Sequence, residues 1–163
     1  MKILSMKTTI FLGAMLSLLV CLMFTGCSNS ETTSTSRGLT DFAHIEEEYL
    51  ATIDSLNWPD GIALPDKLED EDTGASFQVG YGETRASYLW EYSWMKEWLD
   101  TYNTDPERAE KALEELEKAF DMPYMGIDRC DDATRNYLRE NIDKAKLGDP
   151  SGFTESIRAN YAN

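Results

Sequence analysis

Trp90, Trp94 and Trp98 recur every fourth residue, and at 3.6 residues per turn such a series drifts by only about 40° per step around a helix. The three indoles therefore form one stripe. Tyr88, Tyr92, Met95 and Leu99 fall on another side of the same segment, with Tyr102 between, which leaves a narrow face of Lys96, Glu97 and Asp100 for water. The spacing predicts a helix from about Glu83 to Asn103. A helix apolar around most of its circumference belongs in the middle of a bundle. Exposed Trp and Tyr can also stack on sugar rings or Pro-rich peptides, so Tyr88, Tyr92 and the three tryptophans are candidate ligand contacts as well as candidate core. Aromatics on both sides of one helix favour burial over display.

The neighbouring segments read as further helices. Thr40 is placed to cap a first helix running to about Asp54, with Phe42, Ile45, Tyr49, Leu50 and Ile53 at helical spacing. Trp58-Pro59-Asp60-Gly61 ends it. Residues 62–82 read mostly as loop, with one short extended segment suggested by the alternation Phe77, Val79, Tyr81. Asp105-Pro106-Glu107 starts a helix to about Phe120: Asp105 caps, Pro106 suits the first helical position and Glu107 suits the positive end of the dipole. Its inner face is Ala109, Ala112, Leu113, Leu116 and Phe120; Glu110, Lys111, Glu114, Glu115, Glu117 and Lys118 are its solvated face. After the break at Met122-Pro123, Asp131 or Asp132 caps a helix to about Leu147 that uses Ala133, Tyr137, Leu138, Ile142 and Ala145. Gly148 stops it. Asp149-Pro150 starts a last helix with Phe153, Ile157 and Tyr161 spaced by four.

The expected fold is all-α: a small bundle of four or five helices built from two helical hairpins, with a loop-rich segment around 57–82. The two Asp-Pro starts echo each other at a distance compatible with helical repeats, so a tetratricopeptide-like scaffold is the alternative architecture. The wider side-chain pattern of such repeats does not recur.

The N-terminus has a different character. From Thr8 to Gly26 there is no charged residue, the run is strongly apolar, and Lys2 and Lys7 precede it. This is the layout of a signal peptide, with a basic start, a hydrophobic centre and small residues before the cleavage point. The run ends Phe24-Thr25-Gly26-Cys27, which resembles the lipobox of bacterial lipoprotein precursors: an apolar residue, two small ones, then cysteine. The family usually has Leu where this chain has Phe24. The resemblance covers residues 1–27. It implies that diacylglycerol is added to the Cys27 thiol and that signal peptidase II cuts after Gly26. Two or more acyl chains hold a protein to a membrane where one binds only marginally. An uncleaved transmembrane helix is the other reading of the same run, since about twenty apolar residues can span a bilayer. The expected organisation is a signal peptide at 1–26, a lipidated cysteine and Ser/Thr-rich tether at 27–38, and one acidic helical domain at 39–163. That places the domain at the cell membrane, lipid-anchored and facing outside the cytoplasm.

Thirty acidic residues against 15 basic ones give a formal charge of -15. With Lys2 and Lys7 the only charges before Glu31, the part beyond Cys27 is more acidic still. Phosphate backbones are bound by clustered Lys and Arg, here scattered singly among carboxylates, so nucleic acid is not an expected partner. Of the three cysteines, Cys21 leaves with the signal peptide and Cys27 is lipidated. Cys130 then stands alone, without an internal disulfide partner, among carboxylates that disfavour its thiolate.

His44 is the single histidine; a zinc site or triad needing several is not encoded, and a lone helical His reads as a surface or boundary residue. Gly80-Tyr81-Gly82 is too short for a phosphate loop. The acidic run Glu69-Asp70-Glu71-Asp72 lacks the spacing of a calcium loop and reads as solvated. No metal site, cofactor motif or catalytic constellation stands out. The expected role is a non-catalytic binding or interaction module of the envelope, with membrane lipid as one partner through Cys27 and an envelope protein as another. The alternative is an envelope hydrolase using a carboxylate pair, which requires a cleft where one Asp or Glu has a raised pKa.

Overall fold

The computed structural model describes residues 38–69 and 71–161. The expected signal peptide, with Gly26 and Cys27, and all of the expected tether except Gly38 lie outside the described residues. The described part is an all-α bundle of five helices with one small sheet: β1 (Leu39–Thr40), α1 (Phe42–Ser55), β2 (Phe77–Gln78), α2 (Tyr81–Thr101), α3 (Pro106–Glu117), α4 (Asp132–Lys146) and α5 (Ser151–Asn160). Two 3₁₀ turns, Lys118–Asp121 and Pro123–Met125, link α3 to α4. Among the described residues, no helix is long and apolar enough to cross a membrane.

The long aromatic helix is central, as its pattern predicts. α2 packs against α1, α3 and α5. Trp90, Trp94 and Trp98 are all buried, and with Met95, Leu116, Ile142 and Phe153 they form the main core. A buried indole N–H needs an acceptor. Trp90 Nε1 and Trp94 Nε1 both donate to the carbonyl of Asn57, at 2.8 and 3.1 Å, so the strand of chain leaving α1 is strapped across α2. Trp58 Nε1 in turn donates to Ile53 O at 2.9 Å. The loop-rich segment is therefore fastened at its start, and Leu68 further along is buried in a second core beside Ile45, Tyr49, Ile53 and Ala86.

Several element ends differ from the sequence expectation for local reasons. The cap of α1 is Asp41, whose carboxylate accepts from His44 N at 3.0 Å. Thr40 is occupied in β1, paired with Phe77. The extended segment is confined to Phe77–Gln78, because Gly80 takes a positive φ of 88° and turns the chain into α2 two residues earlier than Glu83. α3 tightens into a 3₁₀ turn after Glu117. The expected caps Asp105 and Asp131 hold, accepting from Arg108 N and Thr134 N, and Gly148 closes α4 with a φ of 80°.

Two faces are rotated slightly from expectation. On α4 the buried stripe is Leu138, Asn141, Ile142 and Ala145; Ala133 and Tyr137 are exposed. On α3 Glu115 is buried, its carboxylate 2.7 Å from Lys118. The water face of α2 is also altered: Glu97 is largely covered by Arg108, 2.7 Å away, while Lys96 and Asp100 pair with each other in solvent.

The α1–α2 crossing depends on Gly82. A Cβ there would lie 1.8 Å from the carbonyl oxygen of Ile45 and 2.9 Å from the amide of Tyr49, both main-chain atoms that cannot swing aside. Gly82→Ala is expected to destabilise the protein by about 3 kcal/mol, as overpacking against rigid neighbours does. Alanine is the better helix former, so a loss in urea unfolding can come only from the crossing; unchanged or raised stability would show that α1 does not lie this close.

Candidate functional site

One side of α2 does not fit the scaffold description. Glu91 sits between buried Trp90 and Trp94 in sequence, and its side chain points away from them into a region where α2, the Pro123–Met125 turn, α4 and α5 converge. Only 7% of it is exposed. Its Oε2 accepts a hydrogen bond from Tyr124 Oη at 2.8 Å, and no second hydrogen bond reaches the carboxyl among the described residues.

Around Glu91 lies a cavity of about 310 Å³, with Tyr88 from α2, Met125 from the turn, Tyr137 and Leu138 from α4, and Tyr161 from the end of α5 on its walls. Ser156 and Asn160 supply further polar atoms and Arg85 stands at the edge. The mouth is marked by Tyr88 and Tyr137, 42% and 41% exposed. Two of these rings pack on other rings. Tyr88 meets Tyr124 edge-on at 5.7 Å, and Tyr161 packs on Tyr92 at 4.9 Å between ring centres.

The electrostatics follow from this enclosure. Burial pushes the Glu91 carboxyl up from its ordinary 4.5 to about 7, against the opposing pull of the Tyr124 hydrogen bond. Tyr124 is held well above the usual phenol range by burial first and by the Glu91 charge second. Tyr161 is raised for the same two reasons. Both phenols stay protonated as Glu91 ionises, so Tyr124 remains a donor in either state.

The nearby cations are engaged elsewhere. Arg85 Nε lies 3.3 Å from Glu71, Arg129 Nη1 lies 2.6 Å from Glu83, and Arg135 Nη1 is spent on the carbonyl of Cys130. Glu91 is also the one carboxyl among the residues lining this cavity. A carboxylate pair for glycoside-type hydrolysis is not assembled there.

The residues singled out in the sequence divide sharply. Trp90, Trp94 and Trp98 are core, 1%, 1% and 2% exposed. Tyr88 lines the cavity, and Tyr92 supports it only through Tyr161. His44 is exposed, with Nε2 3.2 Å from Glu48. Gly80 and Gly82 direct their amides at the Glu48 carboxylate of α1, at 2.7 and 3.2 Å, so the positive end of α2 already holds an anion from within the fold. In the acidic run, Glu69 pairs with Lys67 and Glu71 with Arg85; Asp70 lies outside the described residues. Cys130 is a free thiol, raised mainly by burial and opposed by Arg135. Among the described residues, no group of three or more His, Cys, Asp or Glu side chains is disposed to hold a metal.

Glu91, Tyr124, Tyr137 and Tyr161 are absent from the sequence-based site. One signal was available: Glu91 lies three residues after Tyr88 and four before Met95, on the apolar side of a helix whose other carboxylates face elsewhere. No family profile, curated protein or solved structure matches the chain.

The buried carboxyl makes stability depend on pH. Between pH 4.5 and about 7 the folded protein holds a proton on Glu91 that the unfolded chain has released, so stability falls as pH rises through this window and then levels off. Glu91→Gln removes this contribution while keeping an acceptor for Tyr124. The variant is expected to be more stable than the parent by about 3 kcal/mol at pH 8 and equal to it near pH 4.5. Urea unfolding at the two pH values measures the difference; a gap that does not change with pH would show that Glu91 is solvated.

Proposed function

We propose that the chain is a lipid-anchored extracytoplasmic protein, a non-catalytic binding or interaction module of the cell envelope, held to membrane lipid through Cys27. Support for the anchor is the ordered succession of Lys2 and Lys7, an uncharged apolar run, and Phe24-Thr25-Gly26-Cys27. Support for a binding role is the Glu91 cavity, whose size falls at the lower end of ligand pockets and whose lining is the usual mixture of apolar and aromatic walls with few convergent polar groups. That cavity is the observation on which the binding role rests. Its mouth, with the half-exposed rings of Tyr88 and Tyr137, is the surface on which an envelope protein would engage. A single lining carboxyl favours binding over carboxylate-pair hydrolysis.

Cells fed labelled palmitate are expected to incorporate label into the parent protein and to retain it with membranes, whereas Cys27→Ser loses both the label and membrane retention. Mass analysis of the mature protein is expected to find residue 27 at its N-terminus, lipidated. An intact Met1, or an unmodified Cys27, would overturn the anchor.

A further inference from the structure

The cavity around Glu91 lacks one thing its chemistry calls for. A carboxylate this enclosed is normally matched by a cation or by several donors. Here, among the described residues, Tyr124 is the sole hydrogen-bond donor. The charged and titratable groups facing it are known from each packed element. On α2 they are Tyr88 and Arg85, the latter paired with Glu71. The 3₁₀ turn contributes Tyr124, and the following loop Cys130 and Arg129, the latter paired with Glu83. On α4 they are Tyr137 at the mouth and Arg135, which turns to Asp132 and the Cys130 carbonyl. On α5 it is Tyr161. None of these neutralises Glu91 when it ionises.

The walls discriminate among ligands as well. Tyr88, Tyr137 and Tyr161 line the cavity, with Leu138 and Met125 as apolar contacts, and the faces of tyrosine rings attract cations within a few ångströms. An anion would meet the Glu91 carboxylate inside and a chain of formal charge -15 outside. That same field draws cations toward the surface.

We propose that this cavity binds a small organic cation, an ammonium group carried on an apolar frame, with the Glu91 carboxylate as counter-ion and the rings of Tyr88, Tyr137 and Tyr161 as walls. The inference rests on the reading of the domain as a binding module and gives that module a ligand class. It does not depend on the lipid anchor. Since the ligand needs the ionised carboxylate and Glu91 titrates at about 7, binding near neutrality releases a proton. Affinity falls by roughly tenfold for each pH unit below that value.

The test is calorimetric titration of the purified full-length chain in detergent with choline and with 2-phenylethylamine, at about pH 8 and about pH 5.5, with 2-phenylethanol as the uncharged counterpart of the amine. At least one cation is expected to bind at pH 8, to weaken by more than tenfold at pH 5.5, and to release protons at pH 7 in buffers of differing ionisation enthalpy. The alcohol is expected to bind at least tenfold more weakly than the amine at pH 8. Glu91→Gln, which keeps the shape of the protonated acid, is expected to lose more than tenfold in cation affinity at pH 8. Tyr137→Ala, which removes an exposed ring and leaves the core intact, is expected to lose roughly threefold or more. Tryptophan fluorescence confirms folding of both variants. The proposal is overturned if neither cation binds the folded parent at millimolar concentration, if Glu91→Gln binds as well as the parent, or if the alcohol matches the amine. Cys27→Ser is expected to keep the cation affinity, so failure of the anchor and failure of the ligand site give separate results.

Discussion

The fold depends on how two indoles are satisfied in the interior. Trp90 and Trp94 bring a large apolar area into the core, but each also carries an N–H that must not be left without an acceptor. One carbonyl, that of Asn57, serves both. This fixes the chain just after α1 against the middle of α2, and it determines which side of α2 faces the remaining helices. The second core of Ile45, Tyr49, Ile53, Leu68 and Ala86 then closes between α1, α2 and the long loop. A segment of low regularity becomes ordered because its main chain supplies what the aromatic helix lacks.

Carboxylates take contrasting roles in this acidic protein according to what reaches them. Glu48 accepts from the amides of Gly80 and Gly82 and lies beside His44; it acts as a cap donated by one helix to the start of another, where the helix dipole favours negative charge. Glu46 accepts from Leu68 N and helps fasten the loop. Among the described residues Glu91 has neither amides nor a paired base, only the Tyr124 phenol. The same functional group is therefore structural on α1 and chemically poised on α2. Desolvation without compensation is the physical difference between them.

Much of the architecture was legible in the pattern of residues. The stripe of tryptophans, the Asp105 and Asp131 caps and the Gly148 stop each act within a turn or two of the chain, where a helix places neighbours at known spacing. Thr40 failed as a cap because it was drawn into a strand pairing with Phe77, a contact between residues far apart in sequence. On α4 the expected Leu138, Ile142 and Ala145 are buried, but the way α4 lies on the bundle adds Asn141 and leaves Ala133 and Tyr137 exposed. Helical spacing defines a stripe. It does not say which edge of that stripe the partner covers.

The cavity shows the same division more sharply. Composition and local order suffice to show that a helix rich in aromatic residues is buried, that the chain carries a formal charge of -15, and that its start resembles an exported, lipid-modified precursor. The enclosure of Glu91 comes from packing between distant parts of the chain. Its surroundings come from Tyr124, Tyr137 and Tyr161, residues 33 to 70 positions away along the chain, and the free energy of a buried charge is set by what surrounds it in space.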